Sequence, residues 1–282
     1  VLGGMSVFDA VCHSFTTLST GGYSTHDASI GYYAQAGFAH FRLIEYTLVF
    51  FMLFGGMNFL VHFRLLRGDW RALFDSFEIR LLWFILGTAT VVVMLEHMDA
   101  HPSDTLESSF RHSLFQVISI LTTTGYGTKE IASPYFGAAA KQIFLLLMVI
   151  GGCVGSTGGG IKIMRVGILL KMLRYQLIRI VYPRRASLFV KLDGSVVGDA
   201  ELHRVSTLFF VWILLLLVGA LVTAVFSNLG PLESASGMFS ALGNIGPCYI
   251  GDMASLHPLS LIHISEPTRP LYISYAVFCL KK

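Results

Sequence analysis

Three short turns in this chain combine glycine with threonine, serine or asparagine in a way suited to holding a dehydrated cation. STGGYST spans 19–25, TTTGYGT spans 122–128 and GNIGP spans 243–247. Glycine reaches backbone torsions that other residues resist, and the hydroxyls place further oxygen acceptors beside the main-chain carbonyls. Carbonyls turned toward a common axis can replace the hydration shell of a potassium ion. On this reading the carbonyls of Thr20 and Gly21, Thr123 and Thr124, and Asn244 and Ile245 face the ion, while Gly22, Gly125 and Gly246 shape the bends. One such turn would be an ordinary loop; three at equivalent places are a pattern.

Self-alignment supplies the equivalence. FDAVCHSFTTLSTGGYST (8–25), RHSLFQVISILTTTGYGT (111–128) and LESASGMFSALGNIGP (232–247) each place a glycine six residues after a hydroxyl residue: Gly22 after Thr16, Gly125 after Ser119, Gly246 after Ser240. A moderately apolar segment of about twelve residues precedes each turn, too short to cross a bilayer and therefore re-entrant. Non-helical backbone at membrane depth survives only where protein buries it or water bathes it, so the three turns imply a shared aqueous cavity. The negative end of each half-helix dipole would point at a cation. Asp9, His13, His112 and Glu233 fall in or before these half-helices and read as polar packing or mild cation attraction.

Apolar spans must flank such units. Aliphatic and aromatic residues make up 54% of the chain and charged residues 13%, and the mean hydropathy is +0.67. Three stretches, Tyr46 to Leu66, Leu81 to Met98 and Val205 to Phe226, are long enough to be uninterrupted spans, and a fourth, Gln142 to Ile150, is cut short by glycines. Eight basic residues and no acid lie between Lys162 and Lys191, which places that segment in the cytoplasm, whereas Glu96, Asp99, Asp104 and Glu107 mark an outer loop. The three turns then face outward. The basic stretch sits between spans with apolar residues interleaved, so it reads as a juxtamembrane helix meeting lipid rather than nucleic acid. Cys12, Cys153, Cys248 and Cys279 form no CxxC pair and read as small apolar packers.

GGCVGSTGGGIKIMR, Gly151 to Arg165, holds six glycines (Gly151, Gly152, Gly155, Gly158, Gly159, Gly160) followed by Lys162 and Arg165. Each interior glycine costs a helix about 1 kcal/mol relative to alanine, so the run breaks the span into an intramembrane loop. It is not a phosphate-binding loop, because the GK[ST] ending is absent and no strand precedes it.

With these motifs in view, the chain resembles the Trk/Ktr/HKT superfamily of potassium transporters, in its bacterial Trk branch. FDAVCHSFTTLSTGGYSTHDASIGYY, ISILTTTGYGT, GGCVGSTGGGIKIMR and SALGNIGP carry the resemblance over about residues 1–258. The resemblance implies an all-α membrane protein with repeated units of helix, re-entrant pore loop and helix, arranged like a potassium channel around one pore in the bacterial inner membrane. It divides the chain into the second pore loop and its following helix (1–66), a third repeat with the glycine-broken helix and cytoplasmic basic helix (67–186), the first helix and pore loop of a fourth (187–258), and a tail read as foreign (259–282). Pro258, Pro267 and Pro270 keep that tail from forming a last pore-lining helix. The first repeat would then be missing.

The resemblance further implies that the glycine loop gates the pore beneath the filter, that potassium is the transported substrate with no organic cofactor, that the protein is a homodimer, and that a cytosolic nucleotide-binding regulatory subunit of RCK type meets the basic helix. No enzyme is expected, since no polar catalytic cluster lies inside a span, as a lipid-modifying enzyme would need. A sodium or mixed-cation relative remains the nearer rival. A filter serine in place of glycine marks sodium transport in the plant branch, and Gly22, Gly125 and Gly246 argue against it.

Overall fold

The structure is a computed structural model that describes residues 1–181 and 190–251; the predicted foreign tail, with its prolines and Cys279, and Arg184 and Arg185 of the basic stretch lie outside the described residues. In chain order the helices are α1 (Val7–Leu18), α2 (Gly31–Gln35), α3 (Phe41–Gly56), α4 (Phe59–Leu66), α5 (Ala72–Asp75), α6 (Phe77–Ala100), α7 (Leu106–Leu121), α8 (Ala138–Val149), α9 (Ile163–Val181), α10 (Asp199–Ser227) and α11 (Pro231–Gly243). A small hairpin, β1 (Lys191–Leu192) with β2 (Ser195–Val196), precedes α10.

Short polar caps start the helices that follow loops. Ser6 accepts the Asp9 N–H at the head of α1, Ser76 that of Ile79 at α6 and Thr105 that of Ser108 at α7. α11 begins on Pro231, whose missing N–H costs nothing there, and Glu233 reaches back to the Gly230 N–H at 3.0 Å. α6 and α10, of 24 and 29 residues, are long and apolar enough to cross a membrane. They contain the predicted spans Leu81–Met98 and Val205–Phe226. Phe210, Leu214, Leu217, Leu221 and Val225 leave much of α10 apolar and exposed, as a lipid-facing helix requires.

The predicted uninterrupted span from Tyr46 to Leu66 is wrong. α3 and α4 meet at a 108° bend. Two features cause it: Gly55 and Gly56 expose their carbonyls to the glycine loop, where Thr157 and Cys153 N–H groups bind them at 3.3 and 2.9 Å, and Asn58 caps a new helix by accepting the Leu60 N–H at 2.8 Å. The helix cannot continue because its last acceptors are already used.

The core forms around α7, which packs against α3, α6 and α8 and buries Phe115 and every residue from Gln116 to Leu121. α1, the corresponding helix of the first unit, buries only His13 and Thr17. A second cluster joins α10 to α11 through Trp212, Leu216 and Met238.

Arg111 on α7 is 4% exposed and donates through Nη1 to Glu45 of α3, itself fully buried, while its Nε donates to Glu107 at 3.0 Å. Removing one partner of a buried pair strands the other charge, at a cost of about 3–5 kcal/mol, whereas replacing both with apolar residues is often neutral. Arg111→Leu, which strands the buried Glu45, should therefore lower unfolding stability in detergent by about that amount, and the double variant Glu45→Leu/Arg111→Leu should recover most of it. A double variant no more stable than the single one would contradict this.

Candidate functional site

The three predicted turns share one backbone geometry. Thr20, Thr123 and Asn244 have left-handed φ of 51°, 57° and 55°, and two residues later Gly22, Gly125 and Gly246 have φ of 64°, 89° and 106°. A non-glycine residue in that region is uncommon and marks a turn that its surroundings enforce. Here the hydroxyl residue six positions before the glycine enforces it. The Thr16 carbonyl accepts the N–H of Gly21 at 2.8 Å and of Gly22 at 3.3 Å, and the Ser119 carbonyl accepts those of Thr124 and Gly125 at 2.9 and 3.3 Å. In the third turn the Ser240 carbonyl takes the Ile245 N–H and its hydroxyl takes that of Gly246, both at 3.0 Å.

The hydroxyls extend this grip. Thr16 donates to the Tyr23 carbonyl at 2.9 Å and Ser119 to that of Tyr126 at 2.6 Å. Because the amides are drawn to the helices, the carbonyls of these turns are left for another face. Among the described residues no hydrogen bond ends on the carbonyl of Thr20, Gly21, Thr123, Thr124, Asn244 or Ile245.

The turns also lie against one another. A Cβ on Gly22 would sit 1.9 Å from the Thr124 carbonyl oxygen, and one on Gly125 would sit 1.9 Å from that of Ile245. Backbone thus meets backbone in the order first, second, third turn. Tyr126 adds a tie between units: its hydroxyl is 2.5 Å from Thr16 Oγ1.

Asp9, His112 and Glu233 each stand seven residues before the gripping hydroxyl. Asp9 accepts the Thr25 hydroxyl at 2.6 Å and His112 Nδ1 lies 2.8 Å from Thr128 Oγ1, so both brace the strand that leaves the turn. Glu233 instead caps its own helix. His13 Nε2 lies 3.1 Å from Ser24 Oγ and serves the same strand as Asp9.

On one side of the turns is a cavity of about 500 Å³, lined by Gly22, Ser24, Gln116, Gly125, Thr128 and Lys129 among others. On the other lies the glycine loop, a non-helical segment between α8 and α9. Its arms bridge at Ile150 and Ile161, and its tip touches the turns: Thr157 Oγ1 is 3.1 Å from Thr20 Oγ1, and the Gly159 N–H donates to Thr123 Oγ1 at 2.6 Å. The glycines here serve close approach. A Cβ on Gly151 would lie 1.8 Å from the Gly159 carbonyl oxygen, and one on Gly159 would lie 2.5 Å from that of Gly243. Lys162 donates through Nζ to the Gly158 carbonyl, so it belongs to the loop. Arg165 does not; it lines a separate cavity with His203, Arg204 and Trp212.

Several residues of this assembly escape a reading of the sequence. Thr157, which ties the first turn to the loop, sits unremarked inside the glycine run. Glu45, Arg111 and Glu78 are single charges beside or within apolar stretches, and that isolation was the available signal. Tyr126 is a further case, and Tyr126→Phe tests its tie. Loss of one net hydrogen bond should cost about 1 kcal/mol and lower the thermal midpoint, whereas an unchanged midpoint would mean that the tie carries nothing.

Residues 2–262 match the family model described as TrkH, cation transport protein. Among curated relatives, the Trk system potassium uptake protein TrkH of Halomonas elongata is 33% identical over 267 residues, covering 90% of this chain and 52% of that protein. TrkG of Escherichia coli is 34% identical, covering 88% and 52%. The crystal structure of the potassium transporter TrkH from Vibrio parahaemolyticus superposes with a TM-score of 0.81 at 30% identity, over 93% of this chain and 55% of that one. The chain spans about half the length of the curated relatives it matches. With its family model matched from residue 2 to 262 and a solved member superposing over 93% of its length, the chain belongs to the TrkH family of cation transport proteins.

Proposed function

We infer that this chain supplies three walls of a potassium uptake pathway in the bacterial inner membrane. The observation that carries this reading is the repeated turn: three left-handed bends with their amides bound to a pore helix and their carbonyls unclaimed, set side by side. A potassium ion arriving from the outer cavity would exchange water for the carbonyls of Thr20, Gly21, Thr123, Thr124, Asn244 and Ile245. The C-terminal ends of α1, α7 and α11 point their negative dipoles at the same place. Catalysis of transport is then ion dehydration, with no covalent step.

Beneath the turns the glycine loop would close the path, since Thr157 and Gly159 bind the innermost residue of two turns. Movement of that tip would open it. The division into a second pore loop (1–66), a third repeat (67–186) and a partial fourth (187–258) belongs to the same proposal, as do a homodimer and a cytosolic nucleotide-binding regulatory subunit at the basic helix α9. Arg165, Lys171, Arg174 and Arg179 give that helix its charge.

Potassium is preferred over sodium because glycine, with no room for a side chain at Gly22 and Gly125, stands where the sodium-linked serine would be. Rubidium uptake by the full-length protein in potassium-starved cells tests the reading. Gly125→Ser must push the second and third turns apart and should lower rubidium uptake about tenfold or reduce its preference over sodium by that factor, roughly 1.4 kcal/mol. Absence of uptake by the parent, or unaltered uptake and selectivity in the variant, would refute the filter assignment.

A further inference from the structure

One buried acid beside the glycine loop is unused by the filter. Glu78 lies in the first turn of α6, 3% exposed, at the head of a membrane-crossing helix. Its Oε1 accepts the Val154 N–H at 2.7 Å and the Met164 N–H at 3.2 Å. Val154 lies in the loop and Met164 in the first turn of α9, on either side of the 155–160 stretch that carries Thr157 and Gly159. One carboxyl oxygen therefore ties the loop and the head of α9 to α6. An acid in a membrane span is costly unless satisfied, and this one is satisfied by the loop.

The contacts of the loop fall into two grades. At the tip, neutral groups meet: Thr157 with Thr20, and Gly159 with Thr123. At the base one carboxyl oxygen receives two amides, so that parting the base breaks both bonds together. The arms add further bonds that hold the base in register, Gly151 N–H to the Ile161 carbonyl at 2.8 Å and Ile163 N–H to that of Gly152 at 3.3 Å.

We propose that Glu78 is the anchor of the glycine loop, pinning Val154 and Met164 to α6 so that only the 155–160 tip leaves the turns and returns to the same place. It is a positioning residue, touching no ion. The proposal rests on the reading of the loop as a gate only for its effect on flux. The anchoring itself stands on geometry.

Cys153 provides a reporter, since it is fully buried beside Val154. In the full-length protein with every cysteine except Cys153 replaced by serine, Cys153 labelling by N-ethylmaleimide in membrane vesicles is followed by mass spectrometry. Glu78→Ala removes the acceptor and Glu78→Asp keeps the charge but falls short of both amides; each should label about tenfold faster than the parent, the equivalent of roughly 1.4 kcal/mol. Glu78→Gln keeps a carbonyl oxygen at the same reach and should label near the parental rate.

Protected Cys153 in the Ala and Asp variants would overturn the proposal. So would fast labelling in Gln with protection in Asp, because the charge facing Lys162 and Asp193, rather than the two amide bonds, would then do the holding. If Glu78→Ala fails to fold, the Asp and Gln pair still decides. Rubidium efflux from the same vesicles separates the two readings: faster efflux with unchanged rubidium over sodium preference agrees with both, and fast labelling with parental efflux leaves the anchor standing while removing the gate.

Discussion

The whole arrangement follows from the cost of an unpaired backbone amide where water is scarce. A buried peptide group without a partner costs several kcal/mol in an apolar medium, so a turn inside the membrane must satisfy its N–H groups locally. Thr16, Ser119 and Ser240 do this for the three turns, each taking the amides five and six residues on. With the amides committed to the helix side, the carbonyls face away from it. The same bonds that make the turn tolerable at depth are the ones that make an oxygen-lined site.

The glycine loop meets the same constraint with different partners. Its amides reach the carbonyls of Gly55, Gly56 and Gly152, the hydroxyl of Thr123 and the carboxylate of Glu78. This is why α3 stops where it does: its terminal carbonyls serve the loop, and the chain restarts at Asn58. The 108° bend and the glycine hairpin are one feature seen from two segments.

The three units share their turn yet differ behind it. Asp9 and His112 occupy one place in the repeat and both hold the strand leaving the turn through a threonine hydroxyl, at Thr25 and Thr128. The third unit has Tyr249 at that position, and there Ser236 binds its N–H at 2.9 Å while the tyrosine hydroxyl donates to Lys141 at 2.5 Å. Tyr126 in the second unit ties to the first pore helix, whereas Pro247 follows Gly246 in the third and lies against Gly125. Side chains behind the turns are free to vary because the backbone bonds already determine its shape.

Legibility in the sequence tracks how local each determinant is. The six-residue spacing from hydroxyl to glycine lies within one segment, so the turns were readable, and so were α6, α10 and the glycine break. The bend at 57–58 was not, since its cause is a loop about a hundred residues away; Thr157 and Gly55 are 102 positions apart. Glu45 finds Arg111 across 66 positions and Glu78 finds Val154 across 76, distances at which spacing carries no signal. The glycine run was legible as a break but not in its reason. Six glycines suggest looseness, and the structure puts Gly151 and Gly159 where backbones nearly touch. Under the proposed gating, such a loop would draw on both properties of glycine, the small volume when seated and the wide torsional range when released.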